Sequence, residues 1–359
     1  MILCFVVVLL LSFYRVKPVK PFFGALQPAY LAPDRTTSIK GIFILLVFLS
    51  HANNYLLDFP AYAENVLNGP YIDLQAHLGQ GVVVMFLFYS GYGVMESVQK
   101  KGLPYIHAIP RQRIFRTLLH FDAAVLLYLL LELSLGTLKR KSLPTILLAF
   151  TGWTSLGNSN WYIFAVLMLY LFTFIAFCRF AENPVRALWL VTGFTAVYIA
   201  VLVFLKDAWW FDTVLLYPIG MWYSFGKARI EGFLCGKAYR FWLVFSAVFV
   251  AMVVSHLLRA NYLCYELWLI TLALFIVLLT MKVEIGNPVL NFFGKHLFEI
   301  YILMRIPMLI LLALGVTQTY SFVGIGFAAT VLLAVVFQKL LGILDKVMFE
   351  RIKRRSVRR

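Results

Sequence analysis

Lys40 and His51 combine types and a spacing that could do chemistry. They are eleven positions apart, close to three whole helical turns, so on a helix both side chains project from one face, separated axially by about 16 Å. Placed on the apolar stretch near 41–57, Lys40 stands at the mouth of a membrane span and His51 near its middle, with Asn54 a turn further on. A cation at the rim suits an anion such as a phosphate, and a deep imidazole suits proton transfer or transient covalent work. A topology lysine beside a histidine that merely bonds a neighbouring helix fits the same spacing.

A second group is basic. Arg113, Arg116 and His120 follow one another at i, i+3 and i+7, one face of a continuous helix, and with Lys100 and Lys101 nearby they form a candidate anion site at the membrane surface. Asp122, inside the same span, is placed to orient a histidine or neutralise an arginine. Ser90 lies among small and aromatic residues, Tyr89-Ser90-Gly91-Tyr92-Gly93, where packing and ligand contact both fit; spacing sets no base beside it. Asn160, Trp161 and Tyr162 open a later span with the amides and aromatics on which a sugar could bond and stack, or which anchor an interface. Tyr301 and Arg305, four apart, share a face, and Arg305 calls for neutralisation by another helix or a bound anion.

The elements that must position these residues follow from composition. Of the 359 residues, 62% are hydrophobic and 13% charged, against about a quarter charged in a soluble protein. Uniformly apolar runs exclude a soluble fold and a transmembrane β-barrel, whose strands alternate. The fold class is all-α: a polytopic transmembrane helix bundle of about ten helices, near 41–57, 78–98, 117–135, 160–178, 187–205, 213–226, 241–258, 266–281, 297–314 and 322–341. Residues 1–14 are either an eleventh, N-terminal span or an interfacial segment; they lack a signal peptide's basic start. A surface helix is expected around 143–152. The organisation is a hydrophobic segment and basic linker at 1–35, a membrane domain at 36–341 and a basic tail at 342–359.

The formal charge of +16 reports topology rather than nucleic-acid binding. Segments 15–40, 99–116, 179–186, 227–240, 282–295 and 339–359 hold 26 of the 32 Lys and Arg; Lys139, Arg140, Lys141, Lys206 and Arg259 fall on the other side and Arg305 inside a span. The first set is therefore expected to be cytoplasmic, with the C-terminus, in a cytoplasmic membrane, and its tail to face anionic lipid. Four scattered cysteines give no disulfide framework and no metal site.

The chain resembles the integral-membrane acyltransferase 3 family, whose mark is Arg or Lys, ten residues, then His. Lys40 to His51 has that spacing, and further similarity runs in order through Gly81-Val82-Val83-Val84-Met85-Phe86 to Ser90-Gly91-Tyr92, Arg111-Gln112-Arg113-Ile114-Phe115-Arg116, Trp161-Tyr162-Ile163 with Tyr170, and Phe293-Gly294-Lys295 with Ile300-Tyr301-Ile302. The resemblance implies an O-acyltransferase moving acetyl or another acyl group from acyl-CoA to an extracytoplasmic or lipid-linked carbohydrate. It implies that His51 is catalytic, as general base or transient acyl carrier. Lys40 and the Arg113, Arg116 and His120 face would serve the CoA-bearing side, and Asn54, Ser90, Asn160, Trp161, Tyr162, Tyr301 and Arg305 the substrates. Two departures are visible: Met304-Arg305 stands where relatives often have His, and Ala165 where many have Glu. A transporter or flippase using His51 and Arg305 is the alternative, but no paired halves are evident; a glycan polymerase would show a long outer catalytic loop.

Overall fold

A computed structural model describes residues 1–20, 26–27 and 29–350, and for Glu350 the backbone only. The tail expected to face anionic lipid, Arg351 to Arg359, lies outside the described residues, as does part of the basic linker. The helices that concern the site are α1 (Ile2–Phe13), α2 (Pro33–Leu56), α3 (Val84–Lys101), α4 (Arg116–Ser134), α5 (Trp161–Arg179), α6 (Pro184–Leu202), α7 (Leu216–Gly236), α8 (Ala238–Leu257), α9 (Tyr262–Thr280), α10 (Pro288–Lys295), α11 (Leu297–Leu303), α12 (Arg305–Ala313) and α13 (Thr319–Asp345). A two-residue pair, β1 (Lys17–Pro18) antiparallel to β2 (Val283–Glu284), matches Lys17 with Glu284 and Pro18 with Val283.

Local sequence sets the ends of these helices. Asn183, Asn261 and Asn287 each accept hydrogen bonds from the first-turn amides of α6, α9 and α10, and Pro184 and Pro288 occupy positions where no amide is needed. α1 rises only about 18 Å, well short of a ~30 Å hydrocarbon core. A short helix at Leu143–Ala149, capped by the Ser142 hydroxyl, fills the place of the expected surface helix.

Among the described residues eight helices are long and apolar enough to cross a membrane, and nine if the pair Pro288–Lys295 and Leu297–Ala313, bent by 60°, is one span. The tenth expected span corresponds to α7. Its 21 residues reach about 31 Å, but Lys227, Arg229 and Glu231 make its second half polar. The bundle is an all-α, multi-pass membrane fold.

α2 is central and α8 peripheral: 61% of the apolar stretch of α2 is buried, against 11% for α8. Two close approaches lock the core beside residues of interest. A Cβ on Gly41, next to Lys40, would collide with the Leu290 carbonyl of α10, and one on Gly91, next to Ser90, with the Tyr217 carbonyl of α7. Small residues thus let backbones touch where lipid provides no hydrophobic drive for association. Gly91→Ala is expected to cost about 1–3 kcal/mol by overpacking and to lower the unfolding midpoint in detergent by several degrees, at about 2–4 °C per kcal/mol. Gly193→Ala, in open space on α6, should leave that midpoint in place; equal midpoints for the two variants would remove the contact's importance.

Candidate functional site

α2 carries Lys40 and His51 without a break between them. Lys40 lines a cavity of about 770 Å³ together with Ser90, Arg113, Tyr162, Tyr170 and Lys227, open at the face where Lys100 and Lys101 also line it. Lys100 is paired with Glu96 at 2.8 Å and Lys227 with Glu231 at 3.0 Å. Lys40 and Arg113, by contrast, have no carboxylate partner among the described residues, and they lie within electrostatic range of each other. Arg113 instead rests on the rings of Tyr105 and Tyr170, at 6.0 and 5.9 Å from the centroids.

Arg113, Arg116 and His120 do not act as one stripe. Residues Pro110–Phe115 form a π-helical turn, whose wider winding changes the register assumed for a continuous α-helix. Arg113 reaches the central cavity, while Arg116 lines only an adjoining cavity of about 630 Å³ that it shares with Arg113 and Lys101. Arg116 also pairs with Asp345 at the end of α13, through Nε at 2.9 Å and a second, shorter contact, and His120 Nε2 meets the other Asp345 oxygen at 2.8 Å. Asp345 therefore takes the neutralising part foreseen for Asp122. Among the described residues Asp122 Oδ1 has no hydrogen-bond partner, and two residues beyond His120 it points some 200° around α4 from that ring.

His51 is half-buried, and among the described residues its imidazole makes no hydrogen bond. Its electrostatic neighbour is Arg305. Arg305 opens α12 directly after the break at Met304, where Pro307 cannot bond back to the Leu303 carbonyl. Tyr128 donates to the Ile302 carbonyl at the same break, at 3.0 Å. The Arg305 Nε donates to the Tyr55 hydroxyl at 2.9 Å and its Nη1 to the Asn158 carbonyl at 3.4 Å. Tyr55, at i+4, shares His51's face, a signal present in the spacing, whereas Asn54 is exposed and makes no polar contact among the described residues.

The other expected substrate residues divide. Tyr162 lines the cavity and meets Tyr301 edge-on at 5.4 Å; Tyr301 is buried, with its hydroxyl unpartnered. Ser90 shares a 3.3 Å hydrogen bond with Tyr170 on the cavity wall. Trp161 packs edge-on against Tyr162 at 5.8 Å and does not line that cavity. Asn160 spends its amide on the Gly152 and Thr154 carbonyls, at 2.8 and 3.1 Å, and so ties up its own loop. That loop instead offers the buried Asn158 Nδ2 and Ser159 Oγ, neither with a partner. No group of three or more metal-ligating side chains is present among the described residues.

The fold is that of an integral-membrane helix bundle, and among its described residues Lys40 and Arg113, without carboxylate partners, line one cavity while His51 sits further along the helix that carries Lys40. A family model described as an acyltransferase domain matches residues 37–339, and the chain belongs to that family, the membrane acyltransferase 3 family. It is an enzyme that transfers acyl groups. Neither a curated protein nor a solved structure matches the chain.

Proposed function

We propose that the chain is a membrane O-acyltransferase, with acetyl the first group to test, carrying the acyl group from cytoplasmic acyl-CoA to a hydroxyl of a carbohydrate on the other side of the membrane. The observation that carries this reading is the pair of cations without carboxylate partners among the described residues, Lys40 and Arg113, which line one cavity, with His51 eleven residues beyond Lys40 on the same helix. Cations without carboxylate partners suit a ligand that brings its own negative charge, and the donor's phosphates do so. Lys40, Arg113 and the rim lysines would hold them at the basic face. The donor supplies an activated thioester.

His51 then works on the acceptor. A ring nitrogen free of other bonds takes the proton of the acceptor hydroxyl as its oxygen attacks the thioester carbonyl carbon. The C–S bond breaks, and the departing thiolate receives that proton from His51. Arg305, held by Tyr55 and Asn158, keeps a positive charge near the ring. The acyl group crosses and the CoA stays behind. Membrane lipid forms the surroundings; the reading calls for neither metal nor nucleic acid.

The test is transfer of radiolabelled acetyl from acetyl-CoA into envelope carbohydrate in sealed vesicles. Inverted vesicles, which present the cytoplasmic face, are expected to incorporate label, and right-side-out vesicles to incorporate at least ten times less. Equal incorporation by both orientations would reject the sidedness. No incorporation in either, together with no binding of CoA, would reject the reading in favour of a transporter.

A further inference from the structure

At the face opposite Lys40 lies a further cavity, of about 410 Å³, that the mechanism does not use. It is formed where the 3₁₀ turn Gly79–Val83, the segment before α7 and the start of α9 meet. Its volume is within the range of small-ligand sites, roughly 300–1,000 Å³. Asp212 lines it, only 3% exposed, with Oδ1 lacking any hydrogen-bond partner. Glu266 stands in electrostatic contact with it, 7% exposed and with Oε1 likewise unpartnered. Buried carboxyl oxygens are expensive to leave unmatched. Trp209 and Tyr262, 46% and 41% exposed, offer ring surface at the same cavity, and Arg259 and Gln80 line it as well.

We propose that this cavity is a carbohydrate-binding subsite in which Asp212 accepts a hydrogen bond from a ring hydroxyl while Trp209 and Tyr262 stack on the sugar's apolar face.

Each wall narrows the ligand. The free Asp212 Oδ1 asks for a hydroxyl donor, and the Arg259 guanidinium asks for acceptors; a sugar supplies both on one ring. Exposed aromatic rings suit the C–H faces of a pyranose and are wasted on a small ion. A cation would meet Arg259, and an anion would leave the Asp212 Oδ1 without a donor. Burial and the Glu266 carboxylate push the Asp212 carboxyl up to about 8, so at neutral pH the pair is not a doubly charged trap for cations. The Gly79–Val83 turn that brings Gln80 here runs directly into α3, whose Ser90 lines the central cavity, so one element serves both places. The subsite rests on the carbohydrate-acceptor reading above and assigns that acceptor a foothold apart from His51.

The experiment is saturation-transfer-difference NMR on the full-length protein in lipid nanodiscs, with neutral gluco-, galacto-, manno- and rhamno-trisaccharides as probes. At least one probe is expected to bind, and its affinity to fall about tenfold, the worth of one such polar or stacking contact, in both Asp212→Leu and Trp209→Ala. Trp209 is exposed, so its variant tests the site even where Asp212→Leu fails to fold. Absence of binding by every probe, unchanged affinity in both variants, or displacement by tetramethylammonium would each overturn the subsite. Acetyl transfer measured on the same variants separates the two ideas. Binding that depends on Asp212 in a protein with no transferase activity keeps the subsite and sinks the proposed function; transfer with an unchanged acceptor KM in both variants sinks the subsite alone.

Discussion

His51→Ala is expected to insert and fold as the wild type does and to lose transfer of acyl groups by about 10²–10⁴-fold, the usual worth of a positioned general base. Among the described residues the side chain makes no hydrogen bond, so its removal is expected to take away chemistry rather than structure. The loss should fall on kcat, since the imidazole acts on the proton in transit and not on the resting donor. His51→Gln keeps the bulk and polarity of the ring but cannot take the proton, and should be as inactive as alanine. The measurement is turnover with labelled acetyl-CoA, alongside an unfolding midpoint and CoA binding. Normal turnover in a correctly folded His51→Ala protein would remove the mechanism, and lost CoA binding would reassign the histidine to the donor site.

Lys40→Ala combined with Arg113→Ala is expected to raise the donor KM about 100-fold. A hydrogen bond to a charged group contributes about 1.5 kcal/mol or more, and two of them approach 3 kcal/mol. Stability should be affected little, because neither cation has a carboxylate partner among the described residues and the two lie within electrostatic range of each other, so that removing them relieves repulsion. The cavity they line is open at the basic face, where salt screens the attraction between cation and phosphate, so the wild-type donor KM should rise with salt and the double variant's much less. Initial rates at several acetyl-CoA and salt concentrations decide the matter. A donor KM that stays put, or a change confined to the acceptor, would place the phosphates elsewhere.

Much of this was written in the sequence in forms that depend on one helix at a time. Apolar runs mark spans because lipid leaves a chain few alternatives, and the Lys40 to His51 face survives because α2 is regular between them. Where the expectation failed, a second element or an irregular turn intervened. The Arg113, Arg116 and His120 stripe assumes α-helical winding that the π-turn does not keep. Asp345 meets Arg116 and His120 from more than two hundred residues away, beyond any spacing argument. Asn160 looks like a sugar ligand until the loop it closes is seen. Tyr55 was the legible omission, one turn from His51 on the same face. Asp212 and Glu266 were hidden differently: each reads alone as a boundary residue, and only the meeting of two loops and a helix start makes them neighbours.

The uninterrupted course of α2 from Pro33 to Leu56 has one more consequence. On the proposed mechanism Lys40 and the imidazole ride on the same helix, and the interval between them is a gauge, graduated at about 1.5 Å per residue. Cargo is then sorted by reach. A molecule whose charged head and reactive carbon are spaced too closely or too far apart is seated firmly and yet presents the wrong atom, and a misplacement near 1 Å is enough to cost about a hundredfold in rate. Selectivity for the carrier is in this way separated from selectivity for what it carries: the length is read along α2, leaving the walls around His51 free to vary with the acyl group.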